Sequence, residues 1–242
     1  MGRRSDLPAG ERERIPSAEE IVFQKAFQAL RPRTPVPEFV IAFRPYADIN
    51  NVIRIREEKL VVGLSDMLRD APRPVLESIA VILIAKLYRK PIPARHQMQY
   101  RRFLNRRSVR HRIQALRQVR GRKQVGTPQG EHYNLEEIFE ELNQRYFEGR
   151  LPKIRLSWSR TLARASLGHY DAAHKTIVIS RIFDRPQVPR TLLEYLLYHE
   201  MLHVKYPVIH RGARRCFHSP LFRQEERLFP GYREAQSLLE TL

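Results

Sequence analysis

A helix, three strands and a second helix are patterned twice along this chain, the second set 117 positions after the first. Residues Glu19–Leu30 place Ile21, Val22, Ala26, Phe27 and Leu30 on one helical stripe, which Pro32 and Pro35 end. Glu38–Phe43 and Asn51–Leu64 are rich in Val and Ile and predict strands, with Arg56-Glu57-Glu58-Lys59 as a hairpin turn. Val75–Tyr88 predicts an apolar helix. The second pass predicts a helix over Asn134–Phe147, strands over Ile154–Trp158, Ala165–Tyr170 and His174–Ser180, and a helix over Arg190–Val204. At this offset Glu19-Glu20-Ile21 meets Glu136-Glu137-Ile138, Pro35 meets Pro152, Val61 meets Val178, and Pro72-Arg73 meets Pro189-Arg190. These identities are sparse, but they coincide with a shared order of elements. Together they point to a tandemly duplicated α+β unit.

Between the two passes lies a cationic block. No acidic residue occurs between Glu77 and Glu131, while Arg and Lys accumulate from Lys86 to Lys123. Gln97–Val119 predicts one helix whose apolar residues Phe103, Val109, Ile113 and Leu116 share a face amid the arginines. Such a block can neutralise the phosphates of DNA or another polyanion, attract anionic lipid, or be a solvated basic face; Arg101–Lys123 is the candidate contact. Gly121–Gly130, with Gly126, Pro128 and Gly130, reads as the linker, and residues 1–14 read as a charged, mobile tail.

Composition removes several classes. A single cysteine, Cys216, leaves no internal disulfide and no Cys-x-x-Cys metal site. The longest apolar run, Ile79–Ala85, is far shorter than the ~18–20 residues that span a bilayer. The expectation is a soluble, cytoplasmic protein in which any metal is held by His and carboxylate.

His199-Glu200-Met201-Leu202-His203 carries the chemistry. A helix has about 3.6 residues per turn, so His199 and His203 project from one face one turn apart, as two imidazoles sharing a metal must. Glu200 beside them suits a base that takes a proton from metal-activated water. Leu192, Leu193, Leu196 and Leu197 predict that the helix is buried, which gives such a site rigid support. Catalytic zinc takes three protein ligands, so a third is needed. His218, just ahead of a helical pattern starting near Phe222, is preferred over His210, which falls in a predicted loop. His169 and His174 read as turn or surface residues, Trp158 as core, Tyr170 and Tyr232 as packed aromatics, and Glu194 as a solvated helix residue with a possible outer role behind the metal.

From about Leu135 onward the chain resembles the SprT-like family of zinc metallopeptidases and the related predicted metal-dependent hydrolases. The resemblance rests on Leu142–Phe147 with Leu151-Pro152, on Ile154–Ser159, on Leu167-Gly168-His169-Tyr170 before Thr176–Ser180, on the His199–His203 segment, and on His218–Phe222. The family sets its third zinc ligand in a His-Gly-Pro-x-Phe segment; here Ser219 stands in place of that Gly. The family's four-cysteine ribbon has no counterpart, so no second zinc is implied.

The resemblance implies a zincin-like unit of helix, small sheet, H-E-x-x-H helix and C-terminal helix at 131–242; the 117-residue offset makes 15–123 a degenerate copy ending in the basic helix, with 124–130 as the linker. The same offset puts Ile82, Leu83 and Lys86 opposite His199, Glu200 and His203. The expected function is a zinc-dependent peptidase with one zinc per chain on His199, His203 and His218 and with Glu200 as the base. Family members that act on proteins bound to DNA make a protein or peptide substrate near nucleic acid the implied setting. Two rivals stay open: a nucleic-acid-binding protein with a vestigial metal site, and a zinc amidase acting on a small molecule.

Overall fold

The computed structural model describes residues 15–121, 126–164 and 166–240. The expected tail at 1–14, positions 122–125 in the expected linker, and the Ala165 end of one predicted strand lie outside the described residues. The chain divides into two compact units, Met1–Tyr100 and Arg101–Leu242. The sequence reading draws its boundary later, after Lys123.

In the first unit, Ser17 caps helix α1 (Ala18–Leu30) through a capping box: its hydroxyl accepts from the Glu20 N–H while the Glu20 carboxylate accepts from the Ser17 N–H. Strands β1 (Phe39–Arg44), β2 (Val52–Arg56) and β3 (Lys59–Ser65) form a sheet in the order β1-β3-β2, with β1 parallel and β2 antiparallel to β3. The predicted turn closes β2 onto β3 through Glu57 and Glu58, both with positive φ, which matches the right-handed twist of the paired strands. Helix α2 (Arg73–Leu87) follows. Phe23 and Phe27 of α1, Phe39, Leu60, Val62 and Leu64 of the sheet, and Ile79 and Ile84 of α2 make the core.

The second unit builds the same arrangement again. Helix α5 (Leu135–Phe147) starts and ends 117 positions after α1. Strands β4 (Arg155–Trp158), β5 (Gly168–Asp171) and β6 (Thr176–Ile179) run in the order β4-β6-β5, again with one parallel and one antiparallel pair. Leu156 pairs with Ile177 as Phe39 pairs with Leu60, so the parallel register is kept at the same spacing. Helix α6 (Arg190–Lys205) then takes the place of α2. Beyond α6 the second unit adds a hairpin of β7 (Ile209–Arg211) and β8 (Arg214–Cys216), then α7 (Pro220–Glu226) and α8 (Tyr232–Glu240). The fold is α+β, as expected.

The single helix predicted over Gln97–Val119 is two: α3 (Ala94–Leu104) and α4 (Arg107–Arg120). The break falls at Asn105-Arg106, where the Asn105 side chain turns to the β7–β8 hairpin, donating from Nδ2 to the Gly212 carbonyl at 2.8 Å. At its far end α4 donates from Gln118 Nε2 to the Ala173 carbonyl. Residues 126–134 are also tied into this unit. Trp158 N–H donates to the Thr127 carbonyl, and the Asp184 carboxylate accepts from the N–H groups of Glu131, His132 and Tyr133 at 2.7, 3.0 and 3.1 Å. Burial works against a charged Asp184, but these three donors outweigh it and hold its pKa below the ordinary carboxylate value. Among the described residues no helix is long and apolar enough to cross a membrane.

Candidate metal centre

Helix α6 is apolar over most of its circumference: Leu192, Leu193, Leu196, Leu197, Met201 and Leu202 are buried. That packing fixes the rotation of the helix and leaves His199 and His203 on one open face. His218 reaches this face from the residue before the N-cap of α7. Its approach is set by Ser219, whose buried hydroxyl accepts from the Phe222 N–H at 3.1 Å and caps the helix. The serine in place of the family's glycine therefore fixes the helix start that carries the histidine.

The three imidazoles converge. One ligand atom from each of His199, His203 and His218 lies within 4.8 Å of the others. The Nε2 atoms of His203 and His218 are 3.2 Å apart. Phe222, fully buried, forms the floor, its ring centroid 4.7–5.2 Å from all three imidazoles. Burial, with the neighbouring His199 and His218, pushes the His203 pKa down to about 4, and burial together with His199 lowers His218 as well. Neutral imidazoles are the form that binds a metal.

His199 is oriented from behind. Its Nδ1 lies 2.6 Å from Glu226 Oε1, which also accepts from the Tyr195 hydroxyl at 3.0 Å. Gln236 Nε2 donates to that hydroxyl at 3.2 Å. An ionised carboxylate only accepts, so the proton of His199 sits on Nδ1 and Nε2 is left with its lone pair toward the cluster. Burial opposes the charge on Glu226, but the hydrogen bonds from His199 and Tyr195 help to lower its pKa. Three imidazoles with one carboxylate behind them are a donor set that suits zinc.

Glu200 is 5% exposed and lies under β5. Burial raises its pKa to about 7, against the lowering effects of His199 and of a hydrogen bond from the Tyr170 backbone N–H. The strand passes so close that a Cβ on Gly168 would lie 3.0 Å from Glu200 Oε1 and 3.2 Å from Cγ. Any larger residue at 168 would force the strand or the carboxylate to give by a few tenths of an ångström.

The remaining candidates are dispersed. His210 sits on β7, with Nδ1 3.3 Å from Asn105 Oδ1, outside the cluster. His174 bonds Asp171, Glu194 pairs with Arg190, and Trp158 is buried in the core. His169 is exposed on β5, and Tyr232 packs edge-on against Tyr195. The sequence reading missed Glu226, Tyr195, Gln236 and the close approach of Gly168. One signal was present for the first: Glu226 is four residues after Phe222 and so shares the inward face of α7.

No curated protein and no solved structure matches the chain. Residues 135–229 match the model of the SprT-like family, from the first residue of α5 to just beyond α7, a segment that contains all three histidines.

Proposed function

We propose that the second unit is a zinc-dependent peptidase in which His199, His203 and His218 hold the metal. The observation that carries this reading is the convergence of three imidazoles on one point with a buried carboxylate next to them in sequence. When bound, zinc supplies Lewis acidity that polarises the scissile carbonyl and acidifies water. The chain's own residues do the rest. Glu200, buried beside the histidines, accepts a proton from the attacking water and returns it to the leaving nitrogen. The Tyr170 backbone N–H holds that carboxylate in place. Glu226 keeps the His199 proton on Nδ1. Resemblance to the SprT-like metallopeptidases supports a protein or peptide substrate, and the basic helix α4 supports a partner that is DNA or another polyanion.

The first unit serves in this reading as a duplicated scaffold without the chemistry. Its equivalent helix carries Ile82, Leu83 and Lys86 where α6 carries His199, Glu200 and His203.

The test is zinc content per chain and hydrolysis of an unfolded protein by wild type and Glu200→Gln. Wild type should bind about one zinc and cleave, and Glu200→Gln should keep the zinc while losing at least roughly a hundredfold in rate. Full activity in Glu200→Gln would overturn the mechanism. A zinc-loaded wild type that cleaves only small amides would overturn the peptidase assignment.

A further inference from the structure

The β7–β8 hairpin separates His203 from His218, and neither the metal site nor the core accounts for its composition. Its pairs are Ile209 with Cys216, His210 with Arg215, and Arg211 with Arg214. Arg211, Arg214 and Arg215 are exposed, and no acidic residue occurs between Glu200 and Glu225. The α3–α4 break contributes Arg106 and Arg107, both exposed, and half-buried Arg110, again from a stretch without a carboxylate.

One side chain binds these two cationic segments together. Asn105 is buried; its Nδ2 donates to the Gly212 carbonyl at 2.8 Å, and its Oδ1 faces Arg215 Nε at 2.9 Å and His210 Nδ1 at 3.3 Å. The hairpin turn and its second strand are thereby fixed to the start of α4. The charges of Arg110 and Arg215 both bear on His210, which shows how closely they are gathered. Arg110 Nε is buried with no hydrogen-bond partner among the described residues. Holding several guanidinium groups together without an acid is unfavourable unless an external anion compensates them.

We propose that the β7–β8 hairpin and the N-terminal part of α4 form a single phosphodiester-binding surface, joined through Asn105, and that its partner is a nucleic acid. The proposal deepens the polyanion reading of α4 given above and rests on it. It adds three arginines outside the basic block and brings the surface to the metal centre, because β8 ends two residues before His218. The cations are arginines, whose planar forks match phosphate oxygens. A membrane surface is the weaker match. An interfacial helix must turn apolar residues to the lipid, whereas Val109 of α4 is buried and Ile113 and Leu116 are half-buried.

The experiment is a salt titration of oligonucleotide binding by the full zinc-loaded chain, with Arg211→Ala/Arg214→Ala and Arg106→Ala/Arg107→Ala as paired variants. Zinc content and thermal melting confirm that each variant is folded. Each pair should weaken binding roughly tenfold at moderate salt and lower the slope of log affinity against log salt by about 2. In an Asn105→Ala background the hairpin pair should have a much smaller further effect, because the hairpin is no longer held to α4. Loss in the α4 pair with wild-type binding in the hairpin pair would overturn this inference and leave the α4 reading standing. No binding by wild type at low salt would overturn both. Binding to vesicles rich in phosphatidylserine but not to oligonucleotides would replace nucleic acid with a lipid surface and overturn the proposal.

Discussion

Glu226 on α7 and His199 on α6 meet at 2.6 Å between Oε1 and Nδ1, and this contact decides which nitrogen His199 offers to a metal. Replacing Glu226 with Gln keeps the shape but removes the charge that holds the proton on Nδ1. Zinc affinity, measured by competition with a chromophoric chelator, should fall roughly tenfold in Glu226→Gln and further in Glu226→Ala. Tyr195→Phe, which removes a donor to the same oxygen and the acceptor of Gln236 but leaves the carboxylate, should cost less. Unchanged affinity in both Glu226 variants would show that His199 orients itself without the carboxylate.

The choice between His218 and His210 can be tested by metal content alone. His218→Ala should lose zinc readily to a chelator, because two imidazoles remain of the set of three. His210→Ala should hold zinc as wild type does, since its ring faces Asn105. The reverse result would move the third ligand to the hairpin.

The difference between these two histidines shows where the sequence was informative. His199 and His203 were legible because helical periodicity alone puts i and i+4 on one face, and His218 because a helical pattern starts just after it. Glu226 was hidden because an acid on a helix normally points to water; its burial depends on Tyr195 and His199, which lie 31 and 27 residues away. The β7–β8 hairpin was hidden because its three-residue strands, rich in arginine, show no alternation. Asn105 reads as an ordinary residue within a helical run, and its bond to Gly212, 107 residues away, leaves no mark in the local pattern. The repeated order of elements was legible in the helices, but the hairpins blur it. Arg56 and Lys59 enclose two residues, whereas Asp171 and Thr176 enclose four, so β2 and β5 slip out of the common spacing.

Gly168→Ala tests the contact between β5 and the base. In a strand this substitution normally favours folding slightly by restricting the unfolded chain. Here the new methyl would stand 3.0 Å from Glu200 Oε1, so either the strand or the carboxylate must move. The expected cost is about 1–3 kcal/mol in urea unfolding, with hydrolysis reduced more than tenfold while zinc content stays at the wild-type level. A variant more stable than wild type and fully active would mean that β5 does not press on Glu200.

Glu200 and His203 also act in opposite directions on the pH dependence of the metal-free protein. Burial, opposed by His199 and the Tyr170 N–H, moves Glu200 from 4.5 to about 7. Burial, with His199 and His218, moves His203 from 6.5 to about 4. Between pH 4.5 and 7 the folded state keeps a proton on Glu200 that the unfolded chain has released. That contribution to stability is complete below 4.5 and disappears as the pH rises to about 7. For His203 the unfolded chain holds the extra proton, so its contribution is present above 6.5 and is lost as the pH falls to about 4. The two trends offset each other in the wild type, and Glu200→Gln removes one of them. In chelator-treated samples the stability of Glu200→Gln relative to wild type should therefore climb between pH 4.5 and 7, by at most about 3 kcal/mol. A difference that stays constant across this window would mean that Glu200 ionises as freely in the folded protein as in the unfolded chain, and the base would then lack the burial on which its proposed proton transfer depends.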